Sequence, residues 1–137
     1  MIKIVYGPKG FGKTKIIKDD INAAAKTAKG NVVFITDKKI YTVDIDLNVK
    51  CIYAEEYNVA SVNGFAGFVQ GLIAGNNDIE YIFIDGLKRI TKEENLEVYE
   101  EFFGDIVKLT DANGITVEVS VSADKNELPK FMLNYIG

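Results

Sequence analysis

The sequence has no histidine, one cysteine and one arginine, and these shortages exclude several classes of function. Without histidine, the usual zinc sites and the catalytic pairs of serine or cysteine with histidine cannot form. The lone Cys51 excludes an internal disulfide and a cysteine-based metal site. Carboxylates, lysines and a bound metal ion remain as chemical agents, and these groups fit phosphoryl chemistry.

Long apolar runs and an excess of basic charge are also missing. Of the 137 residues, 47% are hydrophobic and 26% charged, and no apolar run reaches the length that crosses a bilayer. We therefore expect no membrane segment and, in the absence of a signal-peptide pattern, a cytoplasmic location. The net charge of −4 and the pI near 4.9 give no broad positive field, so nucleic acid is not expected as the main partner.

A glycine-rich segment near the amino terminus matches the pattern G-x-x-x-x-G-K-[ST] at every fixed position. It follows the apolar run 2–6 and precedes a run with helical spacing, so it joins a strand to a helix. Its glycines let successive main-chain N–H groups point into one concavity that holds phosphate oxygens. The residues expected to bind the nucleotide are Gly7, Pro8, Lys9, Gly10, Phe11, Gly12, Lys13 and Thr14.

Two side chains of this segment have distinct expected roles. Lys13 is expected to reach the β- and γ-phosphates and to take part in catalysis, and the Thr14 hydroxyl to join the coordination shell of Mg²⁺. The positive end of the following helix adds to the attraction for phosphate. A glycine-rich turn that binds nothing is the alternative interpretation.

A second candidate element is the segment 81–85, in which four apolar residues precede Asp85. We expect Asp85 to hold Mg²⁺, directly or through water, although a strand-end aspartate that caps the next turn is the alternative. In a parallel sheet the carboxyl ends of all strands face one edge, so strand-end residues distant in sequence converge there. The residues expected in this crevice are Gly7, Asp37, Glu55, Asp85 and Ser122.

A group that orients or deprotonates an attacking water is harder to identify. In many ATPases of the RecA-like division a glutamate directly follows the metal-binding aspartate, but here that position is Gly86. Glu55 and Glu56 are the first candidates for this catalytic role and Asp37 is a third, with an exposed acidic turn as the simpler interpretation of each.

Two further polar side chains are candidates for the same crevice. Arg89, four residues after Asp85, would stabilise transferring charge in its own or a neighbouring subunit, and a surface position is the simpler alternative. Ser122, at the end of the last strand, would hydrogen-bond the γ-phosphate or its water.

Apolar periodicity predicts one α/β domain over residues 1–137. It is expected to have three layers, with helices on both faces of a mainly parallel sheet of about five strands. The expected strands are 2–6, 32–35, 49–54, 79–85 and 115–123. The expected helices are 16–28, 61–74, one opened by a capping box at Thr91 and one from Pro129 to about 136. Segment 38–48 is either a strand or an irregular crossover.

The order of the strands stays open. In the RecA-like order the last strand lies between the glycine-rich strand and the Asp85 strand, and it should be apolar on both faces. Residues 115–122 instead alternate apolar and polar side chains, which indicates a half-exposed face or an edge and favours the kinase and GTPase order. No N-K-x-D motif is present and Lys88 replaces the glycine of D-x-x-G, so ATP is favoured over GTP.

Three segments, 7–14, 83–87 and 121–129, give the chain a resemblance to P-loop NTPases. More narrowly, it is similar to short single-domain bacterial P-loop proteins that carry an uncertain ATPase or twitching-motility ATPase label. The resemblance implies binding of ATP and Mg²⁺ by the matching residues, but no cellular role. Twitching-motility ATPases proper are larger and have a further domain and histidine-containing motifs, which this sequence lacks.

The expected function is that of a Mg²⁺-dependent ATP-binding protein that hydrolyses ATP slowly or when a partner activates it. A small-molecule or nucleoside kinase is one alternative, and a non-catalytic nucleotide-dependent sensor is another. A second copy of the chain or another protein is the expected source of any missing catalytic group.

Overall fold

The computed structural model describes residues 1–136 and shows an α/β fold built on a five-stranded sheet with the order β1-β5-β4-β2-β3. All neighbouring strands in this sheet are parallel. The strands are β1 (Ile2–Gly7), β2 (Asn31–Thr36), β3 (Lys50–Tyr53), β4 (Ile79–Ile84) and β5 (Thr116–Ser122). Short runs rich in β-branched residues form these strands because such side chains pack well on a pleated surface that is covered.

Helices lie on both faces of the sheet, which confirms the predicted three layers. The helices are α1 (Lys13–Thr27), α2 (Val62–Gly75), α3 (Leu87–Thr91) and α4 (Glu100–Asn113). Shorter 3-10 turns span Lys39–Thr42, Ala54–Glu56, Leu96–Tyr99, Lys125–Glu127 and Lys130–Tyr135.

The two faces of the sheet are covered unequally. On one face, α2, α3 and α4 form a large core that includes Phe65, Ile90 and Phe103. On the other face, α1 is the only α-helix of residues 1–136 that contributes to the core, through buried residues such as Ile17 and Ile21. One helix therefore covers most of a five-stranded face.

The position of β5 corrects the expectation of a half-exposed or edge strand. β5 lies between β1 and β4, and its polar residues Glu118 and Ser120 are only 6% and 2% exposed. The apolar residues of β5 face α2 and α4, whereas its polar residues face α1, where they find partners in the protein. This position between β1 and β4 is the one expected for the RecA-like order. The edge strand on this side of the sheet is β1.

Three other expectations about secondary structure need correction or completion. Thr91 ends α3 rather than opening the next helix, because its hydroxyl donates to the Leu87 carbonyl oxygen at 2.8 Å and Lys92 turns left-handed with φ 57°. The segment after Pro129 forms a 3-10 turn instead of an α-helix, and segment 38–48 contains no strand. In residues 1–136, no helix is both long and apolar enough to cross a membrane.

Glu118 gives the folded chain an unusual pH dependence. Burial, followed by the nearby Asp20 carboxyl, raises the pKa of Glu118 to about 8, although Lys3 opposes this shift. An unfolded glutamate has a pKa of about 4.3, so between these two values the folded chain keeps a proton that the unfolded chain has released. The stabilisation from Glu118 should therefore be complete below about pH 4. It should be lost progressively as the pH rises from there through about 8.

We predict that Glu118→Gln removes this loss of stability. At about pH 9 the free energy of unfolding of the variant should exceed that of the wild type by more than about 1 kcal/mol. A pKa shift of less than one unit is enough for this difference, because one unit corresponds to about 1.4 kcal/mol. The measurement is urea unfolding from pH 5 to 9, with the exposed Glu97→Gln as the control. A stability difference between variant and wild type that does not change with pH would contradict the assignment.

Candidate functional site

The glycine-rich loop, residues 7–14, connects β1 to α1 and owes its shape to two left-handed residues. Gly10 and Gly12 have φ values of 80° and 81°, a conformation that favours glycine over residues with a Cβ. Gly12 caps α1, and the first turn begins where Ile16 N donates to Gly12 O at 3.2 Å. The loop therefore presents the amino end of a 15-residue helix to the carboxyl edge of the sheet.

Lys13 folds back across this loop. Its side-chain Nζ donates to the Pro8 carbonyl oxygen at 2.8 Å, and the residue is only 8% exposed. Burial lowers the pKa of Lys13; the negative charge of Asp85 opposes this, while Arg89 and Lys88 lower the pKa further. A cation held in this way gains from a bound anion, which would replace the lost hydration.

Asp85, which follows β4 directly, joins three elements at the sheet edge. It is 1% exposed, its Oδ2 accepts from the Thr14 hydroxyl at 3.0 Å, and its Oδ1 accepts from the Ser120 hydroxyl at 2.6 Å. Ser120 Oγ in turn accepts from Gly86 N at 2.7 Å. The structure therefore brings together Thr14 and Asp85, the two residues expected to hold a metal ion.

The role of Ser120 as the partner of Asp85 was not predicted from the sequence. Ile84 and Val119 are paired across β4 and β5, so the next residue of each strand also lies side by side. The alternation of β5 contained the signal, because a polar residue that is buried in a central strand needs a partner. That signal could be used only once β5 was known to neighbour β4.

Arg89 lies at the carboxyl edge of the sheet, where it is partly buried against Asp37 and Asp85. Its guanidinium donates to the Asp37 carboxylate at 3.2 Å, lies 3.7 Å from Asp85 Oδ2 and sits 4.7 Å from the centre of the Tyr41 ring. Burial disfavours the charge of Arg89, but the hydrogen bond and attraction from Asp37 outweigh it and raise the Arg89 pKa. Its side chain is 32% exposed.

The same arginine explains the glycine that follows Asp85. Gly86 has φ 89°, and a Cβ added to it would lie 2.4 Å from the guanidinium carbon of Arg89. Residue 86 is where many RecA-like ATPases have a glutamate. In this chain the arginine fills that space, so no side chain fits at Gly86 without displacing it.

These residues surround a cavity of about 340 Å³, which we call the loop cavity. Its volume lies within the range of small-molecule sites, and its walls are more polar than those of most such sites. A larger hollow of about 720 Å³ beside Asn22 and Asn48 is more open, and none of its charged lining side chains is buried. The residues that line the loop cavity are Lys9, Gly10, Gly12, Lys13, Thr14, Tyr41, Asp85, Arg89 and Ser122.

The carboxylates expected to activate water lie outside the loop cavity. Glu55 lines a separate cavity of about 250 Å³ together with Asp37 and Arg89, and Glu56 lines neither of the two. Both glutamates are exposed, whereas Asp37 is buried and paired with Arg89. Asp85 is therefore the one carboxylate that lines the loop cavity.

The oxygen atoms at Asp85 fit a magnesium ion. Mg²⁺ prefers hard oxygen ligands and is usually held by one or two protein groups, with phosphate and water oxygens completing the shell. The Thr14 hydroxyl and the Asp85 carboxylate supply two such oxygens. Within residues 1–136 no group of three or more histidine, cysteine, aspartate or glutamate side chains could hold a metal by itself.

Comparison with known proteins adds no family name to this geometry. No protein-family model matches the sequence, and no curated protein matches it significantly. The support for any function therefore comes from the residues around the loop cavity.

We predict that Ser120→Ala destabilises the fold by about 1–3 kcal/mol, because it leaves Asp85 Oδ1 and Gly86 N buried without a partner. Denaturant unfolding measures this loss. Ser122→Ala, on the same face and strand but half-buried, is the matched control and should change stability by less than about 0.5 kcal/mol. Equal losses in the two variants would contradict the role assigned to Ser120.

Proposed function

We propose that the chain is a P-loop type ATP-binding protein that uses Mg²⁺ and hydrolyses ATP slowly or when a partner completes its site. The observation that carries this proposal is the contact between Thr14 in the glycine-rich loop and Asp85 at the end of β4. Together with Lys13, these residues form the minimal set that binds a triphosphate and its metal ion.

The main groups around the loop cavity have distinct roles in this proposal. Main-chain amides of residues 7–14 and the Lys13 ammonium bind phosphate oxygens, and Thr14 and Asp85 hold Mg²⁺. The ion supplies charge neutralisation for the phosphates when it is bound. Ser120 fixes the orientation of Asp85, and Arg89 adds a positive charge 3.7 Å from Asp85 Oδ2.

Slow hydrolysis follows from the arrangement around Gly86. Water activation needs a base within hydrogen-bond reach of the water, and the one carboxylate lining the loop cavity is assigned to the metal ion. Arg89 occupies the space of the usual glutamate. The missing group would come from a second copy or another protein, and we propose a cytoplasmic setting, in which Cys51 stays reduced.

A small-molecule kinase is a second candidate function. The cavity of about 250 Å³ next to the loop cavity shares Arg89 with it and contains Asp37 and Glu55. A hydroxyl-bearing acceptor held there would lie close to the γ-phosphate. The inserted position of β5 favours the ATPase proposal, because the kinase order places the P-loop strand beside the strand of the metal-binding aspartate.

Removal of the loop lysine tests the phosphate assignment. We expect Lys13→Ala to weaken ATP binding at least tenfold, because a charge-assisted hydrogen bond contributes about 1.5–3 kcal/mol. Isothermal titration calorimetry with Mg²⁺ and ATP measures the affinity. Lys15→Ala removes an exposed lysine from the same helix and should bind as the wild type does. Unchanged affinity in Lys13→Ala would rule out the assignment.

The dependence of turnover on assembly tests the origin of the missing catalytic group. We expect the rate of ATP hydrolysis per chain to rise with protein concentration in step with the oligomer fraction measured by native mass spectrometry. Asp85→Asn should remain inactive at every concentration. ADP release that instead requires an added hydroxyl compound would favour the kinase, and a constant rate per chain would contradict activation by a second copy.

A further inference from the structure

A cavity beside α1 lies outside the loop cavity and shares no lining residue with it. Its volume is about 360 Å³, within the range of small-ligand sites. It opens where the single helix α1 leaves part of its sheet face uncovered. We call it the flank cavity, and it is lined by Asp20, Ala23, Ala24, Thr27, Tyr81, Phe83, Thr116 and Glu118.

Glu118 is the one buried polar side chain in residues 1–136 with an oxygen that lacks a hydrogen-bond partner. The residue is 6% exposed, and its Oε2 accepts no hydrogen bond. Its Oε1 lies 3.6 Å from Lys3 Nζ, whose side chain is 54% exposed, so this pair is open to water. While Glu118 is protonated it shares a hydrogen bond with Asp20, but once ionised it leaves this oxygen in the cavity wall without a donor, which points to a cationic partner.

The surroundings of Glu118 contain too little positive charge. Asp20, from α1, faces Glu118 and adds a second carboxyl group. Besides Asp20, the charged or titratable groups that contact Glu118 or line the cavity are Lys3 on β1 and Tyr81 on β4. Once Glu118 is ionised, one solvent-screened ammonium therefore opposes two carboxyl groups.

The remaining walls favour an organic cation over a metal ion. The rings of Tyr81 and Phe83 are 5.9 Å apart and tilted by only 10° from parallel, and they are paired across the sheet with Thr116 and Glu118. Aromatic rings attract ammonium and guanidinium groups, and they pack against the carbon chains that carry them. A hard metal ion would instead favour walls of oxygen ligands and ordered water, which the Phe83 ring and the alanine side chains of this cavity do not offer.

We propose that the flank cavity binds an organic cation, either an ammonium or a guanidinium group, that pairs with Glu118 and Asp20 and packs against Tyr81. The cation belongs either to a small polyamine-like molecule or to a lysine or arginine side chain of a protein. The site is independent of the loop cavity and of the function proposed for it.

Binding of a cation here requires Glu118 in its ionised form. Because burial and Asp20 raise the pKa of Glu118 to about 8, the proton must leave when the cation binds. Affinity should therefore increase at least tenfold from pH 6 to pH 8.5, with proton release.

The test is a two-dimensional NMR titration of the full chain at pH 8.5 with two probes. Agmatine represents a free small cation, and the peptide acetyl-Gly-Arg-Gly-amide represents a protein side chain. Saturable shifts at α1, β4 and β5 are expected for at least one probe, and the tighter probe identifies the source. The peptide with citrulline, which is neutral and similar in shape, should not bind.

Matched variants complete the test. Glu118→Gln should weaken binding at least tenfold, and the exposed Glu97→Gln should leave it unchanged. If Glu118→Gln fails to fold, Asp20→Asn on the opposite wall tests the same pairing of the cation with the two carboxyl groups. No saturable shift with either probe, equal binding of the citrulline peptide, or the same shifts with Mg²⁺ alone would overturn the proposal.

Discussion

The buried carboxylate of Asp85 is the constraint on which the arrangement of the sheet edge depends. A carboxylate that is 1% exposed must have polar partners, because its hydration is lost. Thr14 comes from the helix after β1, and Ser120 comes from β5. The hydrogen bonds of one side chain thus fix the glycine-rich loop and β5 relative to β4, and they shape the loop cavity.

Arg89 determines the chemical character of that cavity. Its guanidinium is held by Asp37 and Tyr41 beside Gly86, in the space that a side chain at residue 86 would need. The cavity consequently has several cations and one carboxylate, a balance that suits the binding of a phosphate chain better than the deprotonation of water. This charge balance is the physical basis for proposing slow or partner-dependent hydrolysis.

The insertion of β5 also produces the flank cavity. Because β5 is central, its polar face lies beneath α1, and a cavity remains beside Glu118. Ser120 finds its partners at the carboxyl edge, whereas Glu118, two residues earlier, has one carboxylate oxygen without a partner. The two cavities therefore lie on the polar face of the same strand.

The sequence by itself determined the strands, α1, α2 and the glycine-rich loop, because apolar periodicity and glycine backbone preferences are local properties. It also indicated Asp85, since a carboxylate after an apolar strand must lie at the sheet edge. Only the tertiary structure decided the place of β5, the burial of Glu118 and the position of Arg89. An alternating strand has the same pattern whether its polar face meets water or buried partners. The long side chain of Arg89, in the short helix α3, could likewise point in many directions. Which applies depends on neighbours that the local sequence does not contain.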